Sequence, residues 1–371
     1  MPEDANPSLI TQPDSGLARV APQGGGIVAA MVSEALAQSR QEVGTSLVAT
    51  SGALLPKFRI GDYEWCEPDY QQILLWANAL KIKPETVIDR LLIVENSEDG
   101  QRLKTQFKNG RIINICWDAV LLPIKSLEWV DGLVIESLAI PAPSSQKQLR
   151  IPSLPLPQLR GLYCRSVGLS RLDLSQVPLL TELSCGNNRI NILDLTVVPL
   201  LRKLRCHNNQ LIKLDLASVS ELTMLDCSDN NLKKLDLTQV SKLTALECSN
   251  INLKELDLTH VPQLTMLECS INNLKELNLT HVPQITTLFC VNNKLRKLDL
   301  TGVSKLTSLC CDENRLTELN LTHVPNLNEL SCKSNELEIL NIRSLQFLEN
   351  LWFDDSKTIL LQRSDQDFYP N

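Results

Sequence analysis

Residues Leu222–Lys242 read LTMLDCSDNNLKKLDLTQVSK, and this stretch decides the fold. Its Cys227 belongs to a column of nine cysteines that recurs every 21 residues without a slip: Cys164, Cys185, Cys206, Cys227, Cys248, Cys269, Cys290, Cys311 and Cys332. The shared frame is L-x-x-L-x-C-x-x-N-x-L-x-x-L-D-L-x-x-V, and a degenerate tenth copy begins at Leu348. A fixed period of this length predicts a solenoid, in which each repeat is one coil.

The hydrophobic pattern inside one repeat predicts strands. In Leu225-Asp226-Cys227 apolar residues alternate with a polar one, which indicates a strand with one buried face. Leu235-Asp236-Leu237 shows the same alternation ten residues later. We therefore expect two short strands per coil, on opposite sides of a flattened solenoid. Each strand should stack on its neighbours in parallel at about 4.8 Å, so that the coils share one core.

This frame resembles the leucine-rich repeat family, in the short bacterial variety that pairs LxxLxCxxNxL with LxxLDL. The in-phase copies cover roughly half of the chain. The resemblance implies an α/β repeat fold, a leucine-rich repeat solenoid of stacked parallel short strands. It also implies a protein–protein interaction module or scaffold without catalytic activity.

Composition and repeat phase divide the chain into four regions. Residues 1–55 are rich in Pro, Gly, Ser and Ala and predict a flexible N-terminal arm, with one short helix over Ile27–Arg40. Residues 56–158 are not repetitive and predict a small α+β capping domain. The nine repeats occupy residues 159–347, and residues 348–371 hold the degenerate repeat and a C-terminal cap. Caps are expected because the apolar ends and open edges of a solenoid need covering.

The predicted capping domain begins with two helices. Pro68 and Pro84 lie near the two helix starts, and Asn109-Gly110 between apolar segments predicts a tight β-hairpin further on. The helix pair has the length of a helix-turn-helix. However, Glu85 and Asp89 leave its second helix without a phosphate-seeking surface, so a structural helical hairpin is favoured over DNA binding.

The overall composition limits which cellular compartment and which classes of partner are expected. The net charge is −7, which disfavours nucleic acid and anionic membrane as partners. The N-terminus lacks the pattern of a secretory signal peptide, and no apolar run approaches the ~20 residues of a membrane span. We expect a cytoplasmic protein, and export as an effector stays open.

Two columns of the repeat are interpreted as structural. The cysteines fill an inward position where related repeats carry leucine, so buried free thiols are favoured over a metal or disulfide ladder. Cys310 lies at an outward position and is expected to be the most exposed thiol. An asparagine follows most column cysteines by three residues and should bond the backbone of adjacent coils. Ile251 interrupts that column, and a local adjustment is expected there.

Histidines and asparagines of the turns suggest further sites. His260, His281 and His323 share one column and could hold a metal ion, but companion ligands are missing and solvated surface residues are favoured. Asn278 and Asn320 match glycosylation acceptors and are interpreted as accidents of the repeat. No cofactor and no metal are expected.

The outward positions around each cysteine-bearing strand are the candidate binding residues, because core packing leaves their chemistry free. They form a basic cluster, an acidic strip and an apolar anchor: Arg202, Lys203, Arg205, His207; Asp226, Glu247, Glu268; and Phe289, with Val291 beside it. Mixed charge around one aromatic side chain suits a protein partner of unknown identity. The alternative, an ordinary solvated face that binds nothing, stays open.

No catalytic motif is visible. The chain has no phosphate loop, no HExxH, no GxSxG and no dinucleotide-binding glycine pattern, so we expect it not to be an enzyme. Two other interpretations stay open. One is a secreted bacterial effector with an unrecognised activity in residues 56–158, where a site could be sought among Asp62, Glu64, Trp65, Cys66 and Trp117. The other is a purely structural spacer.

Overall fold

The structure is a computed structural model that describes residues 57–60, 63–91, 94–96, 102–104, 106–108, 111–116, 135–140, 156–354 and 356–366. Leu55–Asn371 forms one compact unit. The predicted arm, with its helix over Ile27–Arg40, lies outside the described residues, and so do Asp62 and Trp117. No helix of the described part is long and apolar enough to cross a membrane.

The unit begins with a β-hairpin and a helical hairpin. β1 (Lys57–Ile60) pairs antiparallel with β2 (Tyr63–Cys66), and α1 (Glu67–Leu80) and α2 (Pro84–Leu91) follow. Each helix has a proline at its start, where the missing N–H costs nothing. Both helices contribute fully buried apolar residues: Ile73, Trp76 and Ala77 from α1, and Val87, Ile88 and Leu91 from α2. The predicted helical hairpin is present.

Five short strands connect this hairpin to the repeats. β3 (Val94–Asn96) pairs antiparallel with β4 (Arg102–Lys104), and β5 (Gln106–Lys108) pairs antiparallel with β6 (Arg111–Cys116). The second pair is the hairpin that Asn109-Gly110 predicts. β7 (Ser137–Ala139) then lies parallel to β6. The carboxylate of buried Asp69 accepts a 2.7 Å hydrogen bond from the amide of Ile112, which fastens α1 to β6.

Each repeat contributes one three-residue strand to a continuous sheet. These strands are β8 (Gly161–Tyr163), β9 (Glu182–Ser184), β10 (Lys203–Arg205), β11 (Met224–Asp226), β12 (Ala245–Glu247), β13 (Met266–Glu268), β14 (Thr287–Phe289), β15 (Ser308–Cys310), β16 (Glu329–Ser331) and, from the degenerate copy, β18 (Asn350–Trp352). The sheet has 13 strands and runs in order from β5 to β16 and then to β18. From β6 onward every neighbouring pair is parallel. The parallel ladder therefore starts upstream of the first 21-residue repeat.

The core is one column of aliphatic side chains that runs the length of the solenoid. In the quoted repeat, Leu222, Leu225, Cys227 and Val240 have no exposed surface. All nine column cysteines are buried and free, as predicted. Burial raises the pKa of each of these thiols, for example to about 12 in Cys185, so they behave as small apolar groups.

The prediction of a second strand in every coil is wrong. Leu235–Leu237 is not a strand, and within the described residues a strand forms on that side only at the end of the solenoid, where β17 (Ile339–Asn341) pairs with β19 (Ile359–Leu361). The Asp236 carboxylate accepts a hydrogen bond from the amide of Thr238, 3.0 Å away. Such a local Asx turn competes with a strand ladder. Asn278 and Asn320 fill this turn position in their own coils.

The asparagine column bonds the backbone, as predicted. The Asn293 amide donates to the carbonyls of Cys269 and Cys290, at 3.0 and 3.2 Å, and its oxygen accepts from the amide of Leu274. Ile251 occupies the asparagine slot fully buried, and its amide donates to the side chain of Asn272. Asn252 adopts a left-handed conformation with φ 63°, which is the expected local adjustment.

The histidine column lies on the surface. His260, His281 and His323 are exposed. Among the described residues, no group of three or more potential ligands is arranged to hold a metal ion.

Candidate protein-binding face

The outward side chains of the strands form straight rows, because each coil repeats the position of the last. In β12 the central Leu246 is buried, while Ala245 and Glu247 on either side are half-buried and point away from the core. Parallel pairing without register shifts then places equivalent outward residues side by side at the strand spacing of about 4.8 Å.

One row contains five of the predicted binding residues. Arg205 pairs with Asp226, Asp226 with Glu247, Glu247 with Glu268, and Glu268 with Phe289. The three others lie at the start of the row. Lys203 is on β10 with Arg205, exposed Arg202 precedes that strand, and His207 follows it. The structure therefore brings all eight predicted residues to one face of the sheet.

Lys203, at the basic end of this row, already has a partner within the molecule. The Lys203 ammonium lies 2.8 Å from the carboxylate of Glu182 in the preceding coil. The Tyr163 hydroxyl donates to the other oxygen of the same carboxylate at 2.8 Å. Burial raises the pKa of Glu182, but these two hydrogen bonds and the charge of Lys203 outweigh it and hold that pKa below its ordinary value. Lys203 is thus engaged before any partner arrives.

His207 and Asp226 form a second internal pair. The His207 Nδ1 lies 2.6 Å from the Asp226 carboxylate, and both side chains are largely buried. The imidazole lies directly on Gly186, since a Cβ at that glycine would lie 2.6 Å from the ring. Burial raises the pKa of Asp226, but the hydrogen bond and charge of His207 and the amide of Ser228 outweigh it and lower that pKa. Contacts inside the molecule therefore offset the cost of burying the Asp226 carboxylate.

Glu247 and Glu268, the carboxylate pair, are different. Both are half-buried, and no ion pair within the described residues involves either of them. The only side-chain hydrogen bond to the pair comes from the Ser249 hydroxyl, 3.4 Å from Glu268, within the same part of the chain. Burial, followed by the charges of Asp226 and Glu268, raises the pKa of Glu247. Arg205 and His207 offset this rise only in part, and within the described residues neither carboxylate takes part in an ion pair.

Beside the carboxylate pair lies a small apolar surface, the apolar rim, made of Phe289, Val291 and Ile271. Phe289 and Val291 are half-buried outward residues of one strand and its continuation, and the Val291 carbonyl accepts a 2.8 Å hydrogen bond from the amide of Ile271. Ile271 is 53% exposed and has a left-handed φ of 54°. A β-branched residue in that conformation is strained.

Ile271 departs from its own column. The equivalent left-handed position is polar in every other coil where it is described: Ser166, Asn187, Asn208, Asp229, Asn250, Asn292, Glu313 and Ser334. Four of these side chains form two hydrogen-bonded pairs between adjacent coils, in which Asn208 donates to Asn187 and Asn250 donates to Asp229. Sequence reasoning noticed Ile251 but missed Ile271, although the break in the column was visible. It also missed Glu182 and Tyr163, whose role depends on side-chain conformation.

Several bacterial proteins of known structure have the same architecture. The functional domain of InlJ from Listeria monocytogenes, which includes a cysteine ladder, aligns with a TM-score of 0.54 and 25% identity over 79% of this chain and 70% of its own. The effector YopM from Yersinia pestis aligns with a TM-score of 0.54 and 27% identity over 65% of this chain and 66% of its own. A leucine-rich repeat protein of Leptospira interrogans shares the fold, with a TM-score of 0.53, 20% identity and coverage of 61% and 67%.

No protein-family model matches the chain, and neither does any curated protein. The similarity to solved structures nevertheless agrees with three features of the chain: a 21-residue period, one parallel strand per coil, and a ladder of inward cysteines. The chain therefore has the leucine-rich repeat fold, in a short, cysteine-bearing form similar to the bacterial proteins InlJ and YopM.

Proposed function

We propose that the chain is a non-catalytic protein-interaction module or scaffold, and that its partner docks on the outward face of the strands. The observation that carries this proposal is the row from Arg205 to Phe289. Five neighbouring strands present basic, acidic and aromatic side chains in sequence at positions that the core does not constrain. Charged strips orient an approaching protein, and an aromatic anchor supplies affinity.

The similar proteins support the general function. YopM is an effector protein, and the InlJ fragment is a functional domain. Neither fact identifies a partner for this chain. Free buried cysteines suit a reducing compartment, so we expect the protein to act in the cytoplasm of a cell.

The effector alternative with an activity in residues 56–158 has weaker support. Of the residues that could be invoked for a site there, Trp65 and Cys66 are buried in the core. Glu64 is exposed on β2. The spacer alternative predicts that no partner is found at all.

The test uses the full chain as bait in its native cell. Three baits are compared: the unaltered chain, a strand-face variant carrying Phe289→Ala with Glu247→Lys and Glu268→Lys, and a control variant on the opposite side. The control is Lys234→Ala with Lys254→Ala, since both lysines are exposed and distant from the row. We expect a partner that the unaltered chain and the control retain and that the strand-face variant loses.

The reverse result, in which the control loses the partner and the strand-face variant keeps it, would show that the face is wrong. If no bait retains a protein, the result would favour a structural spacer over an interaction module. All three baits should melt at similar temperatures, because every altered side chain points outward. That comparison separates loss of binding from loss of fold.

A further inference from the structure

Some charged side chains of the row have an oppositely charged partner inside the molecule, and others do not. Lys203 and Asp226 already have partners inside the molecule, at 2.8 and 2.6 Å. The carboxylate pair is half-buried and forms no ion pair within the described residues, and its one side-chain hydrogen bond there comes from the Ser249 hydroxyl, 3.4 Å from Glu268. An uncompensated buried charge costs free energy that a positive group from outside can recover.

The spacing of the pair defines what fits it. Glu247 and Glu268 are directly opposite each other on β12 and β13, about 4.8 Å apart along the sheet. A single guanidinium or ammonium group can contact both carboxylates at this separation, and the planar fork of arginine can bond two acceptors at once. Charge complementarity therefore points to a cationic side chain.

The next strand changes the chemistry from acidic to apolar. Phe289 is the register partner of Glu268, so the apolar rim begins one strand spacing from the carboxylate pair. Ile271 adds an exposed apolar side chain at a position that is polar in every other described coil. Strained residues of this kind occur at functional surfaces more often than elsewhere.

We propose, building on the proposed function, that the occupant of this face is a segment of a partner protein that carries both groups. It places a Lys or Arg side chain on the carboxylate pair and a large apolar side chain on the apolar rim. The two surfaces are about 5–10 Å apart, which is one or two strand spacings. Residues two to four positions apart in an extended or helical segment span this distance.

The experiment selects ligands without assuming their sequence. A random dodecapeptide library displayed on phage is selected on the full chain and depleted on the variant Glu247→Gln with Glu268→Gln. Selected peptides are then synthesised, and their affinity for the full chain is measured by fluorescence anisotropy at low and moderate salt. The glutamine variant keeps the shape of the face, so its melting temperature should not fall.

We expect the selected peptides to contain Lys or Arg two to four positions from a large apolar residue. Replacing that cation by glutamine should weaken binding about tenfold, and so should the glutamine variant of the chain. Phe289→Ala should weaken binding by at least that factor. Ile271→Asn should raise the melting temperature, because asparagine tolerates the left-handed conformation, and yet weaken binding several-fold.

Other outcomes would overturn the inference in distinguishable ways. Peptides that lose affinity with Phe289→Ala but contain no basic residue would refute the partner chemistry and leave the face in place. If the affinity of the peptides falls only in the variant Lys234→Ala with Lys254→Ala, both the proposed partner chemistry and the proposed binding face would be refuted. A selection that enriches nothing over the glutamine variant would also refute the proposed cation.

Discussion

The imidazole Nδ1 of His207 lies 2.6 Å from the carboxylate of Asp226 in the next coil, and the same ring packs against Gly186 of the previous coil. Three consecutive coils thus meet in one contact. The glycine leaves room for the ring, the ring lies beside a buried carboxylate, and the amide of Ser228 donates a hydrogen bond to Asp226 at 3.1 Å. This contact joins the coils on the outward side of the sheet.

The first prediction concerns acid stability. The pKa of Asp226 is lowered in the folded chain, so its contribution to the free energy of unfolding is fully present above the unfolded pKa, near about 3.9. The contribution is lost as pH falls through the lower folded pKa. Asp226→Asn should therefore lower the free energy of unfolding by about 2 kcal/mol at pH 6, with a deficit that shrinks below about pH 4.

Denaturant unfolding at several pH values measures this deficit. Glu221→Gln serves as a control, because Glu221 forms a surface ion pair with Lys242 and should change stability by less than about 1 kcal/mol. A deficit for Asp226→Asn that stays constant from pH 6 to the acid limb would contradict the assigned ion pair.

The second prediction concerns thiol reactivity. The column cysteines are buried and their pKa values are raised by burial, so a thiol reagent should modify them slowly in the folded protein. Cys310 is half-buried and should react first. Its pKa is also raised, by burial and then by Asp312, so its labelling should accelerate as pH increases above neutrality.

Mass spectrometry of peptides after timed labelling gives the order of modification. The same reaction in denaturant supplies the reference rate for each cysteine. Native labelling of all nine column cysteines at that reference rate would mean that the core is not packed as described.

The third prediction concerns the asparagine ladder. Asn293→Ala removes an amide that donates to two buried carbonyls and accepts from one buried amide, so several backbone groups lose their partner. We expect the free energy of unfolding to fall by about 3 kcal/mol. Lys294→Ala, at the exposed neighbouring position, should change it by no more than about 0.5 kcal/mol. Equal effects of the two substitutions would reject the structural role of the ladder.

The fourth prediction concerns the N-terminal cap. β7 pairs with β8, and the amide of Ile140 donates to the carbonyl of Tyr163 at 2.6 Å. A chain that starts at Leu159 would expose the edge of β8 and the apolar end of the first coil. We expect it to aggregate or to melt at a lower temperature than the full chain. Light scattering and thermal unfolding check this, and a monomer with unchanged melting would remove the capping role.

Much of the solenoid could be predicted from the sequence, because the information is local and repeated. The alternation around Leu225 defines one buried face of a strand, and the 21-residue period requires the coils to stack in register. The inward phase of the cysteines and asparagines follows from the same two facts. The error at Leu235–Leu237 has a local cause as well, since alternation alone does not reveal that Asp236 bonds its own turn.

The sequence by itself determined the coil, its inward columns and the set of side chains that face outward, because periodicity specifies which side of the chain is buried. Only the tertiary structure decided which outward charges are free. The pattern assigns Lys203 to a basic cluster and Asp226 to an acidic strip, yet each side chain is paired with a residue of an adjacent coil. Those contacts depend on side-chain conformation and on distances between residues 21 or 19 positions apart, which a linear pattern does not contain. The same stacking leaves Glu247 and Glu268 without an ion pair within the described residues and places Ile271 beside Val291, and these are the groups on which we propose that a partner docks.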